Sequence, residues 1–178
     1  TKLNFGENLL SKNTNEKAIT FISENGFREE RSWKQLRSNT SKLLKFFKDI
    51  KLNKGDRVAA YMPNCIGTAE AFVATSSIGG IWSSCSPDFG ISGVVERFSQ
   101  IKPKVLFISD QYFYNGKKIN VADRLPKILK FIPSIKNVVI VNYPGKKSIR
   151  NKDKFKRQNL FKWSGLIKKT TNEIKFNK

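Results

Sequence analysis

Short apolar runs alternating with helical patterns predict an α/β fold, a largely parallel sheet with helices on both faces, preceded by a β-hairpin. Three observations carry this expectation. Arg57-Val-Ala-Ala-Tyr-Met62, Val105-Leu-Phe-Ile108 and Val138-Val-Ile-Val141 are continuous apolar runs of strand length. Strands covered on both faces read this way, whereas a half-exposed strand alternates. The stretches between them have helical spacing, and strands alternating with helices imply parallel pairing through crossovers. Ahead of them, Ala18–Ile22 and Phe27–Arg31 flank Glu24-Asn25-Gly26, a tight-turn signal for an antiparallel hairpin.

The elements follow in order. Ser32-Trp-Lys-Gln35 has capping-box spacing, in which the Ser hydroxyl and the Gln side chain satisfy orphan amides reciprocally. Leu36, Leu43, Phe47 and Ile50 then form one helical face, and Asn53-Lys54-Gly55-Asp56 stops the helix. After the strand 57–62, Asn64 is placed to cap a second helix reaching Ser77, whose Ala69, Ala71 and Ala74 allow close packing on a sheet. Gly79-Gly80 reads as its terminator, and Ile81-Trp82 begins the next strand. Ser92 is placed to cap a third helix with Val94, Val95, Phe98 and Ile101 inward, broken at Lys102-Pro103. A long connection from Ser109 to Asn120 leads to a helix over Val121–Phe131, with Pro126 either a weak point or its start. Residues 1–143 are expected to form this α/β unit. Residues 144–178 carry 12 Lys/Arg against 2 Asp/Glu and are expected to be a basic surface extension with a short helix near Trp163.

Composition excludes several functions. The chain has no His, so no Ser-His-Asp or Cys-His nucleophile system exists within its 178 residues. Cys65 and Cys85 are two soft ligands where a tetrahedral zinc site needs four, and they are read as reduced thiols. No apolar run approaches the ~20 residues that span a bilayer. The net charge of +20 raises nucleic acid as a partner, but the charge is mostly Lys and Arg is scarce. Lys, Asn, Ile and Phe are all abundant and share A/T-rich codons, so genome bias accounts for the lysine and argues against a nucleic-acid partner. The start at Thr1, without Met, reads as a piece of a longer protein, and a cytoplasmic location is expected.

Chemistry concentrates in the loops. In a parallel sheet the segments leaving the carboxyl ends of the strands gather on one edge, where ligands bind. Three candidates arise: Pro63–Ile66, Ser83–Ser92 and Ser109–Asn120. The second and third leave consecutive strands of the pattern and are expected to be neighbours. The second offers Ser86, Pro87 and Asp88, and the third offers Tyr114, Asn115, Gly116 and the cation Lys117. Together they suit a ligand with an aromatic part and an anionic group. Two surface loops kept polar for solubility remain the alternative at this point. No Gly-rich phosphate loop is present, and no carboxylate pair recommends itself for acid–base catalysis. Glu70 and Glu96 are expected to be solvated, and Asp56-Arg57 to form a turn salt pair.

Several strings are similar to a known family. Lys2-Leu-Asn-Phe-Gly-Glu-Asn-Leu-Leu10, Gly55-Asp-Arg-Val-Ala-Ala-Tyr-Met-Pro-Asn64, Ile78-Gly-Gly-Ile-Trp-Ser-Ser-Cys-Ser-Pro-Asp-Phe-Gly90 and Pro103-Lys-Val-Leu-Phe107 resemble the adenylate-forming acyl-CoA synthetases, in particular their acetoacetate-activating branch. Acetyl-activating relatives have glycines where Pro87 and Asp88 stand, so the acyl assignment leans on that segment. The resemblance implies the N-terminal part of the family's large domain. It implies a reaction in which acetoacetate, ATP and Mg2+ give an acyl-adenylate and pyrophosphate, after which the CoA thiol displaces AMP. Acetate or another short acid, or a non-catalytic nucleotide- or CoA-binding module, are the alternatives. The family's phosphate loop and catalytic lysine belong to segments not present here, so this chain holds no catalytic residue and is expected to be inactive without the rest of its own chain. The resemblance also places the CoA nucleotide on Ser86, Pro87 and Asp88 and on an Arg-x-Gly-Arg segment matched by Tyr114, Asn115, Gly116 and Lys117. Gly116 matches, and Lys117 keeps the charge without the bidentate fork. Tyr114 replaces a cation but can stack on adenine.

Overall fold

A computed structural model describes residues 3–144, 158–168 and 176. The predicted hairpin is present as β1 (Lys17–Ile22) and β2 (Arg28–Ser32), antiparallel, with Gly26 at φ 76° in its turn. A left-handed φ is costly for any residue with a Cβ, which is why Gly stands there. Helix α2 (Trp33–Asp49) opens with the expected capping box: Ser32 Oγ accepts from the Gln35 amide, and Gln35 Oε1 accepts from the Ser32 amide.

The main sheet contains β3 (Arg57–Tyr61), β4 (Ile81–Cys85), β5 (Val105–Ser109), β8 (Asn137–Val141) and β9 (Asn159–Lys162), all parallel, in the order β4-β3-β5-β8-β9. Alternate residues feed two cores. Val58 and Ala60 of β3 face one, built with α2, α3 (Ile66–Ser77) and α6 (Trp163–Leu166). Ala59 and Tyr61 face the other, built with α4 (Ile91–Ile101) and α5 (Leu125–Phe131). Helices therefore cover both faces, as expected. The α5 helix begins at Leu125 after a 3-10 turn at Ala122–Arg124, which puts Pro126 in the first helical turn, where its missing N–H costs nothing.

Several local expectations need correction. Neither Asn64 nor Ser92 caps a helix; the N-cap positions are Cys65 and Gly90, without side-chain cap bonds. Ser83 and Ser84 are not loop residues: they pair with Ala59 and Ala60 in β4. Among the described residues β4 is an edge strand, and its serines are not fully buried, so the hydroxyls do not carry the cost of full burial that a core strand would impose. The connection 109–120 is largely a second hairpin, β6 (Gln111–Tyr114) with β7 (Lys117–Asn120). Asp56 pairs with Lys104 at 2.8 Å, while Arg57 donates to the carbonyls of Ile101 and Lys102. Glu70 is fully buried, accepting from Arg31 Nε at 3.1 Å and Asn39 Nδ2 at 2.8 Å. Arg31 also pairs with Glu29, so one guanidinium clamps the hairpin onto α3.

The surface extension expected over 144–178 also changes where it is described. Residues 159–162 extend the main sheet, and Trp163 is buried with its ring 6.2 Å from that of Phe107. Apolar side chains dispersed among lysines still suffice for one short strand and one helical turn when a sheet edge is available to pair with. Residues 145–157, 169–175, 177 and 178 of that segment lie outside the described residues. A short helix not foreseen, α1 (Phe5–Leu9), docks on α3: Asn4 Nδ2 donates to the Ser77 carbonyl at 2.9 Å. A Cβ on Gly6 would lie 2.0 Å from Ser77 Oγ, so glycine permits that approach.

Candidate functional site

The strand order locates the site before any side chain is considered. From β3 the chain passes outward to β4, then back across β3 to β5 on the other side. That reversal is a topological switch point, and ligands of open α/β sheets bind outside the carboxyl ends of the strands there. A cavity of about 420 Å³ lies at this place. Its lining includes Met62, Pro63 and Asn64 after β3, Ser86, Pro87 and Asp88 after β4, and Tyr112 and Tyr114 of β6.

Consecutive strands do not explain why the two candidate loops meet, since β3 separates β4 from β5. The β6–β7 hairpin brings them together. Tyr112 Oη donates to Asp88 Oδ1 at 2.6 Å, and Ser86 Oγ donates to Asp88 Oδ2 at 2.6 Å. These two hydroxyls, Ser86 first, hold the Asp88 carboxyl below the usual carboxylate range. Burial, then the neighbouring Asp88, pushes the Tyr112 hydroxyl above the usual phenol range, so it remains a donor.

The backbone of the loop is held from beneath. Arg124 Nη1 donates to the Pro87 carbonyl at 2.7 Å and to Tyr61 Oη, and Tyr61 Oη donates to the Phe89 carbonyl at 2.6 Å. The guanidinium also lies 5.8 Å from the Tyr61 ring centroid. Burial raises the Tyr61 hydroxyl, which likewise stays protonated. Cation and phenol thus fix two carbonyls, leaving the side chains of Ser86 and Asp88 to face outward.

Of the residues proposed from sequence, Ser86, Pro87, Asp88 and Tyr114 share this cavity. Asn115 and Gly116 form the hairpin turn at φ 49° and 70°, and Lys117 is exposed opposite Tyr114 in the ladder. The turn amides are engaged: Asn115 N–H and Gly116 N–H donate to the Glu24 carboxylate at 3.2 and 3.4 Å. Sequence reasoning did not select Arg124, Tyr61 or Glu24. Arg124 lies 37 residues from Pro87 and Glu24 lies 91 from Asn115, and no local pattern encodes such pairings. Cys65 and Cys85 are free and buried, and burial raises both thiols. Among the described residues no group of three or more His, Cys, Asp or Glu could hold a metal ion. Among them, too, no helix is long and apolar enough to cross a membrane.

The AMP-binding enzyme family matches residues 9–173. An acetoacetyl-CoA synthetase of Rhizobium meliloti (strain 1021) is 42% identical over 144 residues, covering 81% of this chain and 22% of that protein. The Xenopus tropicalis acetoacetyl-CoA synthetase is 39% identical over 145 residues, 80% of this chain and 22% of its own. A malonamoyl-CoA synthetase of Penicillium aethiopicum is 36% identical over 146 residues, 79% of this chain and 20% of its own. The solved acetoacetyl-CoA synthetase of Streptomyces lividans superposes with a TM-score of 0.87 at 29% identity, covering 98% of this chain and 26% of that one. The chain spans about a fifth of the length of the curated relatives it matches.

Proposed function

The chain belongs to the AMP-binding enzyme family, and from that premise we propose that it is the N-terminal portion of an acetoacetate–CoA ligase. In the proposed reaction the acetoacetate carboxylate attacks the α-phosphorus of ATP and expels pyrophosphate. The sulfur of CoA then attacks the acyl carbonyl, forming the thioester and releasing AMP. The observation that carries the acyl assignment is the 42% identity to an acetoacetyl-CoA synthetase across four-fifths of this chain.

The residues described here contribute a coenzyme shelf. Ser86 and Asp88 present hydrogen-bonding groups on a pinned loop, Tyr114 offers an exposed ring for adenine, and Lys117 supplies charge for a phosphate. ATP and Mg2+ are assigned to segments outside this chain, and no step of adenylation is assigned to it. The chain alone is therefore expected to be inactive. Acetoacetate-dependent exchange of pyrophosphate into ATP by the 178-residue polypeptide would overturn that assignment.

In the full-length protein, Lys117→Glu is expected to raise KM for CoA about tenfold, the effect of reversing one phosphate contact. The exchange assay reads the half-reaction in which CoA takes no part, so a parallel loss of exchange would refute the assignment of Lys117 to CoA. A second reading, another short acid in place of acetoacetate, is favoured by the malonamoyl-CoA synthetase match. Exchange rates across a panel of acetoacetate, acetate and malonamate decide between them.

A further inference from the structure

The β6–β7 turn holds an anion of the protein's own. Successive amides in a left-handed turn form a concavity that binds anions. Here the amides of Asn115 and Gly116 converge on the two oxygens of Glu24, at 3.2 and 3.4 Å. Glu24 reaches them from the β1–β2 turn, which is itself fixed: Ser23 N–H donates to the Phe27 carbonyl and Gly26 N–H to the Ser23 carbonyl, both at 2.9 Å. Glu24 lines the same cavity as Asp88 and Tyr114. Among the described residues no Lys or Arg forms an ion pair with it, and among them its hydrogen-bond donors are these two amides. The first bond is at the long end of the normal range and the second lies beyond it. Space around the turn is open: a Cβ on Gly116 would meet nothing within 4 Å.

We propose that Glu24 is an internal anion at the Asn115–Gly116 turn that yields its place to the 3′-phosphate of CoA. The inference rests on the reading of this edge as a coenzyme shelf. A phosphate brings more charge and three acceptor oxygens to the same amides, beside Lys117, and so displaces a singly charged carboxylate held by two long bonds. The turn sits at the outer rim of the cavity, with Tyr114 56% exposed beside it. The 3′-phosphate branches from the ribose at the outer end of CoA, whereas the diphosphate runs inward toward the thiol. Glu24 therefore weakens every ligand that needs the turn amides and leaves the others untouched. It makes discrimination between CoA and dephospho-CoA smaller than the bare turn would give.

The test is direct binding by isothermal titration to the full-length protein, with CoA and dephospho-CoA as the two probes. If the carboxylate closes the turn in about 80–90% of molecules, its removal tightens CoA binding about 5–10-fold, because the competent fraction rises to one. Glu24→Ala is expected to show that gain for CoA and less than about twofold for dephospho-CoA, with Glu24→Gln intermediate because its amide oxygen still accepts. Equal tightening for both ligands, no change, or weaker CoA binding would each overturn the proposal. Weaker binding would mean that Glu24 builds the turn for the ligand. Lys117→Glu in the same titrations separates the premises. If that variant weakens CoA binding while Glu24→Ala does not sharpen discrimination, the shelf stands and only the role of Glu24 fails.

Discussion

Replacing Arg124 with Gln tests whether one side chain sets the conformation of the Ser86–Phe89 loop. Its Nη1 donates to the Pro87 carbonyl at 2.7 Å and to Tyr61 Oη, which in turn donates to the Phe89 carbonyl. A hydrogen bond from a charged donor contributes about 1.5–3 kcal/mol when its loss leaves the acceptor dry. Arg124 is half-buried and water reaches part of this network, so the lower end applies. Adding about 0.5 kcal/mol for the cation over the Tyr61 ring gives about 2 kcal/mol in total. The loss falls on the loop and spares the sheet, because Tyr61 keeps its place in β3. The Phe89 amide, bonded to the Ser86 carbonyl at 3.1 Å, reports local opening. Its hydrogen exchange is expected to accelerate about 20–30-fold in Arg124→Gln, since 1.4 kcal/mol is tenfold. Amides of β5 should be unchanged. Arg124→Lys, which keeps the charge but loses the fork, should fall between. A change below threefold at Phe89, or equal acceleration in β5, would refute the reasoning: the first denies the anchor, the second makes it a global stabiliser.

Two further outcomes concern stability. Burial raises the Glu70 carboxyl, against the lowering effect of Asn39 and Arg31. A raised folded-state value means that Glu70 stabilises the fold fully below the ordinary 4.5, and that this contribution is lost as pH rises through the raised value. Wild type should therefore lose stability relative to Glu70→Gln over that window, while Glu70→Ala costs about 2 kcal/mol by leaving Asn39 and part of Arg31 unpaired; urea midpoints across pH check both. Asp56 shows the opposite sign: burial opposes ionisation, but Lys104 and the Asn53 amide outweigh it and hold the carboxyl below its ordinary 3.8. Its contribution is present above 3.8 and disappears as pH falls through the lowered value. Lys104→Met should cost about 0.5–1 kcal/mol at neutral pH, given that Lys104 is half exposed, and the difference from wild type should vanish in strong acid.

What the sequence revealed follows from the range of the interactions involved. Periodicity is local, so the apolar runs of β3, β5 and β8, the capping box of α2 and the Glu24–Gly26 turn could all be read directly. Edge status is not local. Ser83 and Ser84 fall within the expected loop 83–92 because hydroxyls suit a strand poorly when both its faces are covered, and only pairing order shows that β4 has one free edge among the described residues. The same limit hid β9, whose Asn159–Lys162 is apolar at only two positions and forms because β8 offers an edge. Glu70 was misread for a related reason: a lone carboxylate on a helix is usually solvated, and its partner Arg31 lies 39 residues away on a strand.

The site divides along the same line. The groups proposed to meet a ligand, Ser86, Asp88 and Tyr114, lie in segments marked by Pro, Gly and Asn, because a loop at the end of a strand must break the apolar pattern. The groups that hold them in place belong to regular elements: Tyr61 ends a core strand and Arg124 closes a helical turn. Each satisfies the pattern of its own element, so neither stands out in sequence. Positioning here comes from the reverse crossover that puts β3 between β4 and β5. It places the Tyr61 hydroxyl under one loop and the β6–β7 hairpin over it. The sequence alone therefore marks the candidate loop residues, while the residues that make those loops rigid emerge only with the strand order.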